Sequence, residues 1–201
     1  MVGHPNVKNA TRNPQLSLKN TFKIYIMKTR GQRNNNPLNI RHSTDRWQGA
    51  RIQQTDPSFV QFESMAYGYR AAWRTLESYW KHFHRTNQYF NVTNIIGRWA
   101  PPTENDTQSY IRTVLKLSGL GGRENLPQPS RGVDTEKLVS LIAAMTTVEC
   151  GTPYAEVDTE AIRQGFALAF PDKRSYARTQ PATENRPTEE DLLMLDEYWQ
   201  W

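Results

Sequence analysis

Acid–base chemistry near neutral pH needs a carboxyl group whose surroundings favour its protonated form. Three glutamates invite comparison. Glu149 follows Leu138, Ile142 and Met145 on one apolar stripe, in the last turn of a helix predicted over residues 135–149. Partial desolvation penalises its charge, and the negative end of the helix dipole penalises it again. Both effects suit a proton donor. Glu63 and Glu104 instead lie just before predicted helix N-termini, where the dipole favours the ionised form. They suit capping, cation binding or a base role.

Other chemistries find little support. His42, His82 and His84 have no evident nucleophile partner, and no serine lies in a nucleophile-elbow pattern. His82 and His84 are too closely spaced to share a helical face. Cys150 is the only cysteine, which excludes an intrachain disulfide and argues against a cysteine-based metal site. There is no Gly-rich phosphate loop, and no metal or cofactor is expected. Trp47, Trp99, Tyr110 and Tyr154 sit in or beside polar loop segments, where they could stack on sugar rings or bases. The alternative for Trp47 and Trp99 is that they lock loops onto the core.

The elements that would position these groups are mostly helical. Met65, Tyr69, Trp73, Leu76, Trp80 and Phe83 recur at helical spacing after an N-cap at Ser64, with Glu77 and Lys81 paired on the outer face. Shorter helices are predicted over residues 92–99, stopped by Pro101-Pro102, and from an Asp106 or Thr107 cap through Leu117, ended by Gly119. Asp134 caps the helix carrying Glu149, Gly151 and Pro153 stop it, and a further helix spans residues 159–170. Residues 50–54 and 59–62 read as two short strands joined by Asp56-Pro57-Ser58, with Phe59 and Phe62 as buried anchors. The fold class is mainly α, in the α+β sense, with one small β-hairpin near the start.

Composition divides the 201 residues into a folded centre and polar ends. Hydrophobic content of 37% and a mean hydropathy of −0.77 are low for a core built from the whole chain. Residues 1–29 form a basic extension, residues 30–170 the folded domain, and residues 171–201 a linker and a short acidic-aromatic helix. Met27 precedes the densest polar motif, so the first 26 residues read as an appendage. The short apolar run at residues 24–27 is broken by Lys23 and Lys28 and suits neither a signal peptide nor a membrane span. The chain is therefore expected to be made in the cytoplasm and exported, if at all, by another route. A formal charge of +5 and a pI of about 9.4 favour an anionic partner. Nucleic acid is expected only through the basic amino terminus.

The segment from Arg30 to Gly49 holds Asn34, Asn35, Asn36 and Asn39 with almost no aliphatic residue. Its amides must satisfy one another, cap neighbours or face a polar partner. Arg30-Gly31, Asn34–Pro37, Asn39-Ile40-Arg41, Trp47 and Gly49 resemble the opening of a phage and prophage family labelled structural protein, read as lysozyme-like peptidoglycan hydrolases. The resemblance continues through Gln54-Thr55-Asp56, Phe59, Phe62, Gly68, Arg70-Ala71, Trp99–Pro102, Glu104-Asn105, Thr107 and Tyr110. It resumes at Glu149, Gly151 and Pro153-Tyr154 and ends near residues 165–169, so it covers about residues 30–170. The family usually has Gly where this chain has Leu38. The Asn-rich segment before a Trp-x-Gly hairpin also looks like bacterial cell-wall glucosaminidases.

The resemblance implies a lysozyme-like helical domain, with the helix ending at Glu149 brought beside the hairpin. It implies cleavage of the peptidoglycan glycan backbone, by hydrolysis or lytic transglycosylation, with Glu149 protonating the glycosidic oxygen. Asn35, Asn36, Asn39 and Arg41 would bind acetamido and carboxylate groups, Trp47 would stack, and Trp99, Asn105, Tyr110 and Tyr154 would complete the binding set. Asp56, Glu63 and Glu104 are candidates for the second carboxylate that a hydrolase needs. The expected partners are peptidoglycan strands and other virion or delivery-apparatus proteins. A non-catalytic virion component with the same fold is the competing expectation.

Overall fold

The helical periodicity is realised nearly residue for residue in the computed structural model, which describes residues 28–171. Six helices follow in order: α1 (Arg30–Arg33), α2 (Met65–Arg85), α3 (Val92–Trp99), α4 (Thr107–Ser118), α5 (Thr135–Cys150) and α6 (Thr159–Ala169). Short 3-10 turns occupy Pro129–Arg131 and Tyr154–Glu156. The expected basic extension before Lys28 and the acidic-aromatic terminal helix lie outside the described residues. Within them, no helix is long and apolar enough to cross a membrane.

The helix ends are set by local chemistry. Asn91, Asp106 and Asp158 each accept a backbone N–H of the first turn, at 2.9, 3.0 and 2.9 Å. Gly119 and Gly151 take the left-handed conformation that closes α4 and α5.

One core holds the helices together. Tyr69, Trp73 and Leu76 of α2 join Ile95 and Ile96 of α3, Val114 of α4, Leu138, Ile142 and Met145 of α5, and Ile162 of α6. Full burial of each large apolar side chain contributes roughly 1.5–3 kcal/mol. α2 and α6 approach so closely that a Cβ at Gly165 would lie 2.6 Å from the Cβ of Tyr69. The Trp73 indole donates to the Ile162 carbonyl at 2.9 Å across the same contact. Leu38 is buried in this core, so its bulk serves packing.

Three expectations need correction. Glu77 is not an outer-face partner of Lys81: it is 4% exposed and accepts from Gln128 Nε2, Ser130 N and Ser130 Oγ at 2.9, 2.9 and 3.1 Å. The loop before α5 folds over that flank of α2 and turns a predicted solvent face into an interior one. The β-hairpin is reduced to two isolated antiparallel bridges, Ala50 with Phe62 and Arg41 with Phe59, and no strand forms among the described residues. Side chains take the places of a ladder. Gln61 Oε1 accepts the N–H of Thr55 at 2.6 Å, Gln54 Oε1 accepts that of Gln61 at 2.7 Å, and Asp56 accepts those of Ser58 and Phe59 at 3.0 Å each. Phe62 is fully buried as expected, but Phe59 lies half-buried beneath the guanidinium groups of Arg30 and Arg41, 4.5 and 5.6 Å from its centroid.

The polar segment proves to be an internal scaffold. Thr29 and Gln32 form a capping box on α1. The Asn36 amide, fully buried, donates to Ile40 O and Val60 O at 2.9 and 2.8 Å and accepts from Ile40 N at 2.8 Å. Asn34 is 4% exposed and joins Asp56 and Gln61. A segment whose aliphatic residues are Leu38 and Ile40 thus enters the interior largely on side-chain amides that substitute for a sheet.

Candidate functional site: a cleft around Glu149

Glu149 stands in the last turn of α5, half-buried. Its Oε1 accepts from Trp99 Nε1 at 3.1 Å and from Tyr110 Oη at 3.0 Å. Its Oε2 accepts from Asn39 Nδ2 at 3.0 Å, and the same amide reaches the Glu149 carbonyl at 3.1 Å. Four segments therefore converge on one carboxyl group: the polar segment, the end of α3, the first turn of α4 and the end of α5. The stripe expectation is refined accordingly, because the carboxylate is not left bare against apolar surface but ringed by neutral donors. Residues 39 and 149, 110 positions apart, meet directly.

Tyr110 is a fixed donor in this arrangement. Burial first, then the charge and hydrogen bond of Glu149, hold its phenol well above the ordinary tyrosine range. The Cys150 thiol next along α5 is buried, donates to Pro37 O at 3.2 Å, and is pushed up to about 11, chiefly by burial. It is a packing group rather than a nucleophile.

Glu149 opens onto a cleft of about 480 Å³. Asn39, Arg41 and Trp47 line it from the polar segment, Trp99, Glu104 and Asn105 from the end of α3 and the following turn, and Tyr79 from α2. Amides, one guanidinium, several aromatic rings and carboxylates thus share one concave surface, a composition that suits a neutral polyhydroxylated ligand. Among the described residues no cluster of His, Cys, Asp or Glu is arranged to hold a metal ion.

The remaining residues read from the sequence lie elsewhere. Asn36 is enclosed in the scaffold, and Asn35 donates to Phe62 O and Glu63 O at 3.0 and 3.1 Å, which ties α1 to the start of α2. Asp56 is bound bidentately by Arg30 at 2.7 and 2.6 Å and also by Asn34. The Arg30 guanidinium, then the Asn34 amide and the turn N–H groups, hold its carboxyl far below the usual carboxylate range. Its hydrogen-bonding capacity is filled, so it is the keystone of the 54–61 turn. Glu63 is exposed beside Arg51 and Gln61 in a separate shallow depression. Tyr154 packs, partly buried, against the main core. Of the second-carboxylate candidates, Glu104 alone lines the cleft.

Sequence reasoning missed two cleft residues. Asp45, the first acid in the chain, lines the cleft with its Oδ2 accepting from Ser43 Oγ at 2.9 Å. Tyr79 also lines it, with Trp99 edge-on at 6.1 Å and the Arg98 guanidinium 5.0 Å from its ring centroid. Tyr79 lies one residue off the apolar stripe, and that displacement was the available signal. Asp45 left only its isolation among bases.

Fold and site together define a small, mainly helical domain with a carboxylate-centred polar cleft. No family model matches the chain. Among curated proteins it is 34% identical over 145 residues to Protein P5 of Pseudoalteromonas phage PM2, a match spanning 70% of this chain and 82% of that protein. The chain belongs to the family of that phage protein.

Proposed function

We propose that the chain cleaves the glycan backbone of bacterial peptidoglycan, with Glu149 as the acid–base group. The observation that carries this reading is the convergence of Asn39, Trp99 and Tyr110 on a half-buried carboxyl group that opens into a polar, aromatic-lined cleft. Oε1 already accepts two donors, whereas Oε2 accepts one, so Oε2 keeps the lone pair that can carry the proton. That proton passes to the glycosidic oxygen as the C–O bond breaks and an oxocarbenium-like centre develops. Water, activated by a second carboxylate such as Glu104 or Asp45, completes hydrolysis. If the sugar's own hydroxyl attacks instead, Glu149 recovers the proton and an anhydro end forms.

Asn39, Arg41 and Asn105 supply contacts to acetamido and carboxylate groups, and Trp47 and Trp99 supply apolar faces. The excess of Lys and Arg favours approach to an anionic wall. The relationship to a phage protein is in keeping with action at the cell wall after virion delivery, lysis or specialised export, and with other virion proteins as partners. Incubating purified sacculi with the protein and analysing released muropeptides by mass tests this directly. Anhydro ends would identify transglycosylation and reducing ends hydrolysis.

One observation favours a second reading. Both oxygens of Glu149 are satisfied within the fold, as they would be in a group whose work is to tie α3, α4 and α5 together. A non-catalytic virion component would bind sacculi without releasing soluble fragments.

A further inference from the structure

Trp47 lines the cleft and packs its ring against the small cluster of Ile40, Val60, Phe62 and Ala71. Its indole Nε1–H is nonetheless buried with no acceptor among the described residues. Leaving a neutral donor buried and unpaired is costly, and such groups in a folded protein require a cause. Packing is not that cause, because a ring of the same shape without the N–H would make the same contacts. Three donors beside it are engaged: the Trp99 N–H, the Tyr110 hydroxyl and the Asn39 amide all serve Glu149.

His42, Ser43, Thr44, Asp45 and Arg46 are all exposed, and Ser43 and Asp45 form part of the cleft edge. This rim is anchored at its ends, by His42 N on Ser58 O at 3.1 Å and by Ala50 N on Trp47 O at 3.2 Å. Among the described residues its middle is held by the local Ser43–Asp45 bonds alone.

We propose that the Trp47 N–H is a ligand-recognition donor, taking a carbonyl or hydroxyl oxygen of the glycan as the rim from His42 to Arg46 moves aside. This rests on the glycan reading above and assigns Trp47 a polar role in place of simple stacking. A donor without an acceptor among the described residues gives up no bond to them when the ligand arrives. Its contribution to affinity is therefore larger than that of a donor already engaged within the fold.

The test replaces Trp47 by β-(3-benzothienyl)alanine, which keeps the ring shape and puts sulfur in place of the N–H. Trp47→Phe serves as a second variant. Affinity for chitohexaose is measured by calorimetry, sacculus binding by sedimentation, and folding by thermal melting. The expected result is at least about tenfold weaker binding of both probes, or 1.4 kcal/mol, with the benzothienyl protein melting no lower than the parent. Nitrogen-15 spectra of the parent should show the Trp47 indole resonance moving downfield when chitohexaose is added. Equal binding by parent and benzothienyl protein would overturn the inference and leave the glycan reading standing. So would an indole resonance already hydrogen-bonded in the free protein. A parent that binds neither probe would overturn the glycan reading and this inference with it.

Discussion

Glu149 is a structural tie between α3, α4, α5 and the polar segment, and under the proposed function it is the reactive group as well. Replacing it by Gln keeps its size but turns one acceptor oxygen into an amide donor, which then faces the donors of Asn39 or of Trp99 and Tyr110. The expected outcome is a stability loss of about 1–3 kcal/mol, read by denaturant unfolding, together with a fall in glycan cleavage of roughly 10²–10⁴-fold. Tyr110→Phe removes one donor and leaves the carboxyl group in place. It should lower stability by about 1–2 kcal/mol and reduce turnover while retaining measurable cleavage. If Tyr110→Phe abolished cleavage as completely as Glu149→Gln, the phenol would have to be assigned a direct part in the reaction. Cys150 offers an independent check on the same helix end. Its thiol, raised to about 11 by burial, should resist alkylation at pH 8 in the folded protein and react readily once denaturant unfolds it, as followed by mass spectrometry.

At the scale of elements, the helices were legible because apolar residues recur at helical spacing between recognisable caps. The boundaries of α3 match the reading, α2, α4 and α5 start where their caps place them, and α6 starts at Thr159 as read. The 30–62 region was not legible in the same way, because asparagine, glutamine and aspartate side chains there do the work of backbone ladders. No periodicity announces such a network. The same blindness misplaced Glu77, whose partners Gln128 and Ser130 lie in a loop some fifty residues away. For the site, Glu149 and several cleft residues could be picked from type and position, whereas the fate of Asp56 depended on Arg30 and Asn34 arriving beside it.

That Asp56 cluster makes a pH prediction. Its carboxyl is depressed in the folded protein, so its stabilisation is complete above the ordinary aspartate value of about 3.9. The contribution is lost as pH falls from there through the lowered folded value. Asp56→Asn should therefore be less stable than the parent at pH 7, with the gap narrowing as pH drops below about 4, measured by thermal melting across pH. A gap that stayed constant down to pH 2 would mean the ion pair contributes nothing specific. Gly165→Ala tests the close contact between α2 and α6. The added Cβ meets Tyr69 and Arg70 backbone at 2.6–2.9 Å, and the expected destabilisation is about 1–3 kcal/mol.

For the whole molecule, kinship with a phage protein, a small helical body and a polar cleft centred on one carboxyl group are joined by the claim that this cleft cuts peptidoglycan glycan. The most direct measurement is muropeptide release from purified sacculi by the parent protein and by Glu149→Gln, with both shown to be folded by circular dichroism and melting. Release of disaccharide-peptide fragments by the parent, and a fall of at least a hundredfold in the folded variant, is the predicted result. Equal release by parent and folded variant, or sacculus binding by the parent without any release, would contradict it.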